Sequence, residues 1–418
     1  MLSPCVQGST RKLPYLDYLP VPATLKYCAV TGFEIPSLPV LAQEYSDARG
    51  TLARQTLDRF QQYLLELHSD APAQRAIALQ LMALPEGVSV AARVRINVLC
   101  RSAHDAADKA ALDADDFVRH AAASFPRSGM FGYGQPKWLE ATELEHACFR
   151  QGGIQDSDID LVELRKFEDR WPWSQQLSVQ YVPHRFWANR GLDPWLVLIE
   201  NLAAVTRPAA VRIELTPTRL ERSSGLDSMS VAARWFTLYG QDLERIAKQG
   251  EQVRTDGVVT SEMYRAGDVG NFSTTAQGTS YVQRGRHVYE QLMAHADRLF
   301  GMRVTIASHG RVPESLIGSV RAALSSPPSD DEIGSLGWVR PDVVRPETEK
   351  SAALENLRYL AQTRWGRTDP VRPPGPQTTG AAALGPQVNL RPFATPEEAT
   401  SLFHLPIFDR SSETSALS

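Results

Sequence analysis

The sequence has few cysteines and lysines, and it contains no long uninterrupted apolar stretch. Its four cysteines lie far apart and form no CxxC pair, which predicts free thiols in a reducing cytoplasm; they are Cys5, Cys28, Cys100 and Cys148. No run of about 18 apolar residues occurs, so no transmembrane helix is predicted. The first residues lack the hydrophobic region of a signal peptide. We therefore expect a cytoplasmic protein with no membrane contact.

The lysines exclude a P-loop. They are Lys12, Lys26, Lys109, Lys137, Lys166, Lys248 and Lys350, and none of them follows a glycine. A Walker A motif requires Gly-Lys-Ser/Thr, because its lysine reaches the phosphates while glycine lets the backbone close around them. The sequence also lacks a GxSxG nucleophile elbow, and Gly129–Gly134 does not have the GxGxxG spacing of a dinucleotide site. No cofactor and no catalytic residue are therefore predicted.

What is present is an ordinary globular composition, with 43% hydrophobic and 22% charged residues over 418 positions. This length allows two or three domains. The formal net charge of −4 argues against a protein that wraps nucleic acid along its whole surface. Seven lysines among 44 basic residues leave 37 arginines, a bias that is typical of a GC-rich genome.

Residues 281–325 contain the clearest succession of elements. Val288, Leu292 and their helical neighbours predict a helix that ends at Gly301, since glycine takes the left-handed turn at a helix end. Residues 302–306 then alternate as in a strand, and Pro313 begins a second helix. A similar order of strand and helix at 90–125 indicates that the chain contains a second copy of this unit.

We therefore predict an α+β fold built from two ferredoxin-like half-domains, with antiparallel or mixed sheets and helices packed on one face. The predicted boundaries are an N-terminal arm at 1–35, half-domains at 36–190 and 191–327, a Pro/Gly-rich linker with one helix at 328–386, and a C-terminal docking segment at 387–418. In the last segment, Thr395 is the predicted N-cap of a helix that has Pro396 at its first position.

Two acidic patterns raise the alternative of a metal-dependent nuclease or hydrolase. Glu143 and His146 have the ExxH spacing that puts two ligands on one helix face, but a dinuclear bundle site needs a second such pair, which is missing. The turn Asp156–Asp160 begins like a calcium loop, but Leu161 and Phe167 occupy the positions where glycine and glutamate are required. Ser308-His309 lies at a strand end without an identifiable acid partner. No metal is therefore predicted.

Arginines remain on the polar faces of the predicted strands: Arg93, Arg95, Arg212 and Arg303. The simplest interpretation is a solvated sheet face. The functional interpretation is contact with DNA phosphates or with acidic groups of a partner.

The order of these elements resembles the non-motor N-terminal region of HerA/FtsK-type motor ATPases and of the coupling and conjugation ATPases of type IV secretion. The resemblance covers residues 75–410 and is carried by the stretches 88–126, 195–217, 289–308 and 394–407. The last stretch is the most specific, because it is similar to the segment just before the motor core. Its matching residues are Thr395, Glu397, Glu398, Ala399, Leu402, His404 and Pro406.

The resemblance implies an accessory protein without its own motor. The partner would be a separately encoded hexameric P-loop ATPase that translocates DNA in conjugation, type IV secretion or antiviral defence, with DNA reached through the complex. The residues expected to dock the partner are Thr395, Glu398, Leu402, Phe403, His404 and Pro406. Self-association of this chain into a homo-oligomer is a further expectation. A second alternative is a self-assembling structural component of a phage or secretion apparatus.

Overall fold

A computed structural model describes residues 6–7, 27–36, 40–41, 49–69, 74–85, 92–126, 134–170, 181–183, 194–219, 288, 290–325, 340–361, 365, 391–405 and 408–409. The strands of this part of the chain are β1 (Val6–Gln7), β2 (Tyr27–Ile35), β3 (Val40–Leu41), β4 (Arg75–Leu84), β5 (Arg93–His104), β6 (Lys137–Trp138), β7 (Ile159–Arg165), β8 (Glu168–Arg170), β9 (Tyr181–Pro183), β10 (Ala209–Thr218), β11 (Leu299–His309), β12 (Asp342–Val344), β13 (Phe393–Ala394) and β14 (Phe408–Asp409). The helices are α1 (Arg49–Ser69), α2 (Ala107–Ser124), α3 (Ala141–Ala147), α4 (Pro194–Ala203), α5 (Glu314–Ala323), α6 (Lys350–Tyr359) and α7 (Pro396–Leu402).

Ten of the strands form one antiparallel sheet. Its main order is β1-β2-β5-β4-β10-β11-β7-β12, while β6 pairs with β2 and β13 pairs with β11. Two small sheets accompany it, namely the parallel pair β3–β14 and the antiparallel pair β8–β9. This mixture of helices with an antiparallel sheet confirms the predicted α+β class.

The sheet joins two runs of elements that follow the same order. The first run is β2-α1-β4-β5-α2-β6, and its strands lie side by side as β6-β2-β5-β4. The second run is β7-α4-β10-β11-α5-β12, and its strands lie as β12-β7-β11-β10. The runs meet where β4 pairs with β10, from Ala83–Ala209 to Ile77–Leu215. The ferredoxin-like label for each half stays an interpretation of this strand order.

One side of the sheet, here called the apolar face, is covered by α1, α2, α4, α5 and α7. Alternate strand residues such as Ile77, Leu79 and Leu81 point to it, as the period of two requires. Edge-to-face aromatic contacts tie α1 to α2 there, since the ring of Phe125 lies 5.6 Å from Phe60 and 5.6 Å from Tyr63. The placement of these five helices agrees with the prediction of helices packed on one face.

The opposite side, here called the polar face, carries small residues and charges, and α3 and α6 cover part of it. Its strand residues include Ala78 and Ala210, which are too small to hold the covering helices apart. Leu354 and Leu357 of α6 pack into the same buried cluster as Leu144 of α3. The prediction placed helices on one face only, and it assigned the helix that is α6 to the linker 328–386.

Two boundaries differ from the sequence prediction. Residues 27–35, assigned to an N-terminal arm, form the nine-residue strand β2, and a Cβ on its Gly32 would lie 2.6 Å from the carbonyl oxygen of Val98. Gly301 does not end a helix, because β11 already begins at Leu299 and pairs Gly301 with Thr216. The strand starts earlier because Leu299 and Phe300 are buried against neighbouring strands, which outweighs the weak strand preference of glycine.

Several predicted features lie outside the described residues: Cys5, the loop 129–133, the helix and polar segment at 228–280, and the linker stretches 326–339 and 366–390. Among the described residues, Cys28, Cys100 and Cys148 form no disulfide bond. Among the described helices, none combines the length and the apolar character that crossing a membrane requires.

Candidate functional sites: the terminal helix, the polar face and a pocket at α3

The start of α7 has the predicted capping chemistry. The Thr395 Oγ1 accepts a hydrogen bond of 3.3 Å from the backbone N–H of Glu398, and Pro396 occupies the first helical position. Glu397 and Glu398 follow in the first turn, at the positive end of the helix dipole. The predicted N-cap is therefore confirmed.

The predicted docking residues are occupied within their own chain. The Glu398 carboxylate lies 2.8 Å from the Nζ of Lys166, and both side chains are only 3% exposed. Leu402 and Phe403 are buried in the core of the apolar face, where α7 packs on α1 and β11. The imidazole of His404 is partly buried, and its Nδ1 lies 3.2 Å from the Thr400 carbonyl oxygen.

Residues 391–405 of the terminal segment are consequently part of the folded body. A Pro/Gly-rich stretch before it suggested a freely tethered element, yet Lys166 Nζ also donates a hydrogen bond of 2.5 Å to the Phe393 carbonyl at the start of this segment. Pro406 lies outside the described residues. The side of α7 that remains accessible carries Glu397, whose side chain is 52% exposed.

The interpretation of a solvated sheet face is wrong for two of the four predicted arginines. Arg212 and Arg303 lie on the polar face and are 2% and 4% exposed. Arg93 is exposed at the start of β5, and Arg95 is partly exposed beside Glu143. Among these four, Arg93 is the one whose side chain stands open to solvent for a contact with DNA.

The buried arginines hold the end of α6 against the sheet. Arg212 donates to the Leu357 carbonyl and, over 2.8 Å, to the Ala147 carbonyl. Arg303 donates to the Ala361 carbonyl over 2.8 Å. Since the last carbonyls of a helix have no intrahelical partner and carry partial negative charge, guanidinium groups are suited to this position. Their role in this structure is to fix α6 over the polar face.

Positive charge exceeds negative charge in this buried layer. Four buried arginines, Arg101, Arg165, Arg212 and Arg303, share it with three buried glutamates, Glu34, Glu163 and Glu214. Burial raises the pKa of the Glu214 carboxyl, although the nearby guanidinium groups act in the opposite direction. Burial also lowers the pKa of Arg101, whose Nε and Nη2 have no hydrogen-bond partner. Sequence reasoning identified two of these seven residues, Arg212 and Arg303.

The acidic turn 156–160 serves structural contacts. Asp156 lies 2.5 Å from Arg358, and the carboxylate of Asp158 accepts from the backbone N–H of Gln155 over 3.3 Å. Asp160 lies 2.7 Å from Arg345 and also accepts from the backbone N–H of Val312 over 2.8 Å. Within the described ranges, no group of three or more His, Cys, Asp or Glu side chains could hold a metal ion. These contacts explain the turn as a connector between α6 and the sheet.

Glu143 and His146 line the same cavity, as their helical spacing predicts. The Oε1 of Glu143 lies 3.1 Å from Lys137 and 3.1 Å from Arg95, and its Oε2 accepts from the backbone N–H of Glu140 in a capping box. Partial burial raises the pKa of Glu143, but the Glu140 N–H and these cations outweigh that effect and hold the pKa below its ordinary value. Glu143 therefore remains a carboxylate and caps α3.

The predicted Ser308-His309 pair does not form a nucleophile and base. Ser308 Oγ donates to the His309 carbonyl over 3.3 Å rather than to its ring. Burial lowers the pKa of His309, and so does the proximity of His146. The His309 ring lies 5.4 Å from Phe149 in an edge-to-face contact, and its Nε2 has no hydrogen-bond partner.

Sequence reasoning missed two buried amides beside the cavity at α3. Asn97 and Gln80 are 3% and 0% exposed, and Asn97 Nδ2 donates to Gln80 Oε1 over 3.3 Å. The available signal was a neutral amide at facing positions of the neighbouring strands β4 and β5, where Gln80 pairs with Asn97. That signal was passed over because polar strand residues were assigned to solvent.

No protein-family model matches the chain, and no curated protein matches it either.

Proposed function

We propose that this chain is a non-catalytic accessory subunit that associates in trans with a hexameric, DNA-translocating ATPase of the HerA/FtsK type. The proposal rests on the likeness of residues 394–407 to the segment that precedes the motor core in those ATPases. It places the protein in the cytoplasm, in conjugation, type IV secretion or anti-phage defence. Several copies of the chain would bind one hexamer, and DNA would be reached through the complex.

The observation that carries the proposal is the firm attachment of α7 to the sheet. Thr395 caps the helix, Glu398 pairs with Lys166, and Phe403 is fully buried. A partner that contacts α7 is therefore held in a defined orientation relative to all ten strands. Such an orientation is what a subunit needs in order to position or gate a motor, whereas a freely tethered segment would supply affinity alone.

The accessible surface for docking is the outer side of α1 and α7. Glu397 accepts a hydrogen bond from Gln61 Nε2 over 3.3 Å, and His295 lies 3.6 Å from its other carboxylate oxygen. Asp58 is exposed on α1, one helical turn before Gln61. An acidic, solvated surface next to the terminal segment favours a partner with complementary basic groups.

The test is a pull-down of tagged full-length chain from its native host with the neighbouring genes intact. We expect recovery of a Walker-motif ATPase in near-stoichiometric amount. Glu397→Arg should lower this recovery roughly tenfold or more, because like charges would face each other at the contact. Asp116→Arg, an exposed acid on α2, is the matched control and should leave recovery unchanged. Absence of any such ATPase, or equal recovery with both variants, would overturn the proposal.

A further inference from the structure

One buried guanidinium group joins the ends of the two helices that cover the polar face. Arg212 is 2% exposed, and its Nη2 donates over 2.8 Å to the carbonyl of Ala147, the last residue of α3. Its Nη1 donates to the carbonyl of Leu357 in the last turn of α6. Because the last carbonyls of a helix have no partner within that helix, Arg212 serves as a C-terminal cap for both helices at once.

Two further contacts tie the same helix ends to each other. The Nε of Arg358, in the last turn of α6, donates to the Phe149 carbonyl over 3.3 Å. The guanidinium of Arg150 lies 5.5 Å from the centroid of the Tyr359 ring, which is a cation–π distance. The ends of α3 and α6 are therefore held by one another as well as by the strand β10.

Both helices also end at a residue that has a left-handed backbone conformation and is not glycine. Phe149, which follows the C-cap of α3, has a φ of 53°, and Leu360, the C-cap of α6, has a φ of 47°. Both side chains are buried in the same cluster of the polar face. A left-handed conformation costs free energy for a residue with a Cβ, and it persists where the surrounding packing offsets that cost. Since one cluster supplies the packing for both ends, the loss of one helix removes part of what holds the other.

Another side of α3 is a wall of the cavity that lies between this helix and the ends of β4 and β5. The cavity has a volume of about 350 Å³, and Thr142, Glu143 and His146 of α3 are among its lining residues. Glu143 is fixed there by its capping box and by the ion pair with Lys137. The cavity wall and α6 are thus connected through the body of α3.

We propose that α3 and α6 are one cooperative unit, which opens from the polar face and closes onto it as a whole, with Arg212 as the shared clamp. This unit makes α6 respond to the state of the cavity wall, because any loosening of α3 weakens the contacts that hold the end of α6. The proposal is independent of the ATPase partner, which is assigned to α7 on the apolar face, so either can fail without the other.

The first test uses the full-length wild-type chain. Amide hydrogen exchange is followed by mass spectrometry at increasing urea concentrations below the unfolding transition. Peptides covering α3 and α6 should share one opening free energy and one dependence on urea, and α5, on the apolar face, should open at a higher free energy. Separate openings of α3 and α6, or opening of both only together with α5, would overturn the proposal.

A local change in the cavity wall then tests the connection. Glu143→Ala removes one arm of the capping box and the pairs with Lys137 and Arg95. We expect exchange in α3 to rise roughly fivefold, the factor that loss of a helix cap gives, and exchange in α6 to rise by a similar factor. Asp108→Ala, an exposed acid in the first turn of α2, is the matched control and should leave α6 unchanged. A rise confined to α3 would contradict the proposal.

The double variant Glu143→Ala/Arg212→Met assigns the clamp. Compared with Arg212→Met alone, it should exchange faster in α3 but not in α6, because the shared cap is gone. Circular dichroism establishes that both variants are folded. If Glu143→Ala still raised exchange in α6 in the folded Arg212→Met background, the assignment of Arg212 as the clamp would be wrong.

Discussion

The two faces of the sheet are covered by helices, but different interactions hold the helices on each face. On the apolar face, alternate strand residues are hydrocarbon, and the buried charge there includes a closed pair, Lys166 with Glu398. On the polar face, small residues alternate with arginines. The Leu357 carbonyl of α6 accepts from Arg212, and the Ala361 carbonyl just after α6 accepts from Arg303. The apolar face is therefore held mainly by area removed from water, whereas the polar face combines a buried cluster of α3 and α6 side chains with directed hydrogen bonds.

This difference shows that a polar strand face is not necessarily exposed to solvent. Strands β4, β5, β10 and β11 alternate as half-buried strands should, yet their polar sides are covered as well. A covering helix is tolerated because Ala78 and Ala210 leave room for it, and because the guanidinium groups find acceptors at its end.

The largest loss of stability is expected when one partner of the buried ion pair Lys166–Glu398 on the apolar face is removed. Lys166→Met leaves the Glu398 carboxylate buried without its cation and should lower the free energy of unfolding by about 3–5 kcal/mol, measured by urea denaturation. The double variant Lys166→Met/Glu398→Leu should recover most of this loss, since neither charge remains.

The control for this cycle is Lys109→Met. Lys109 pairs with Asp105 at 3.5 Å, but both side chains are more than half exposed, so the loss should stay below about 1 kcal/mol. If Lys166→Met were as mild as this control, α7 would not be fixed to the sheet as described, and the support for the proposed function would fall with it.

A smaller loss of stability is expected when a buried arginine of the polar face is replaced. Arg212→Met keeps much of the side-chain volume but deprives the Leu357 carbonyl of its donor, so we expect a loss of about 1–3 kcal/mol. Amide hydrogen exchange should rise in α6 more than in α5, because the end of α6 loses its anchor. Arg93→Met is the matched control on an exposed site. Equal exchange of α6 in wild type and in Arg212→Met would mean that the arginines do not hold this helix.

The sequence predicted those parts of the fold that depend on local period. The strand β5, the helix α2 after it, and the repeat of this order in β11 and α5 follow from alternation and helical spacing, although β11 begins three residues before the predicted position 302. The capping of α7 was also predictable, because Thr395 and Pro396 act within one turn of the chain.

What could not be predicted are contacts between distant positions. Lys166 and Glu398 are 232 positions apart, and no local pattern shows that they meet. The same holds for Arg212, which was placed on the correct strand but assigned to solvent because its acceptor at Leu357 belongs to a helix 145 positions away. The strand β2 was missed because its apolar residues follow a Pro- and Tyr-rich arm without a clear boundary.

The smallest effect that we expect is a pH dependence of the free energy of unfolding. It comes from His68, a histidine on the apolar face, and therefore concerns that face alone. His68 is buried at the end of α1, and its Nε2 lies 3.1 Å from the Thr218 carbonyl and 3.0 Å from the Leu299 carbonyl, so this nitrogen carries the hydrogen. Burial lowers the pKa of His68, an effect that the two carbonyls only partly offset.

In the unfolded chain, His68 has the ordinary histidine pKa of about 6.5. The pKa in the folded state is lower, so below about pH 6.5 the unfolded chain binds more protons than the folded state. The contribution of His68 to stability is therefore complete above that pH and is lost as the pH falls below it. The variant His68→Gln keeps an N–H donor at this position but has no titratable group there. The free energy of unfolding of this variant should therefore fall less than that of wild type between pH 7 and pH 5. The measurement is urea denaturation across this range, with His120→Gln, at a partly exposed histidine of α2, as the control. Parallel curves for wild type and His68→Gln would show that the charge is accommodated at the end of α1, and the apolar face would then tolerate a charge as the polar face does.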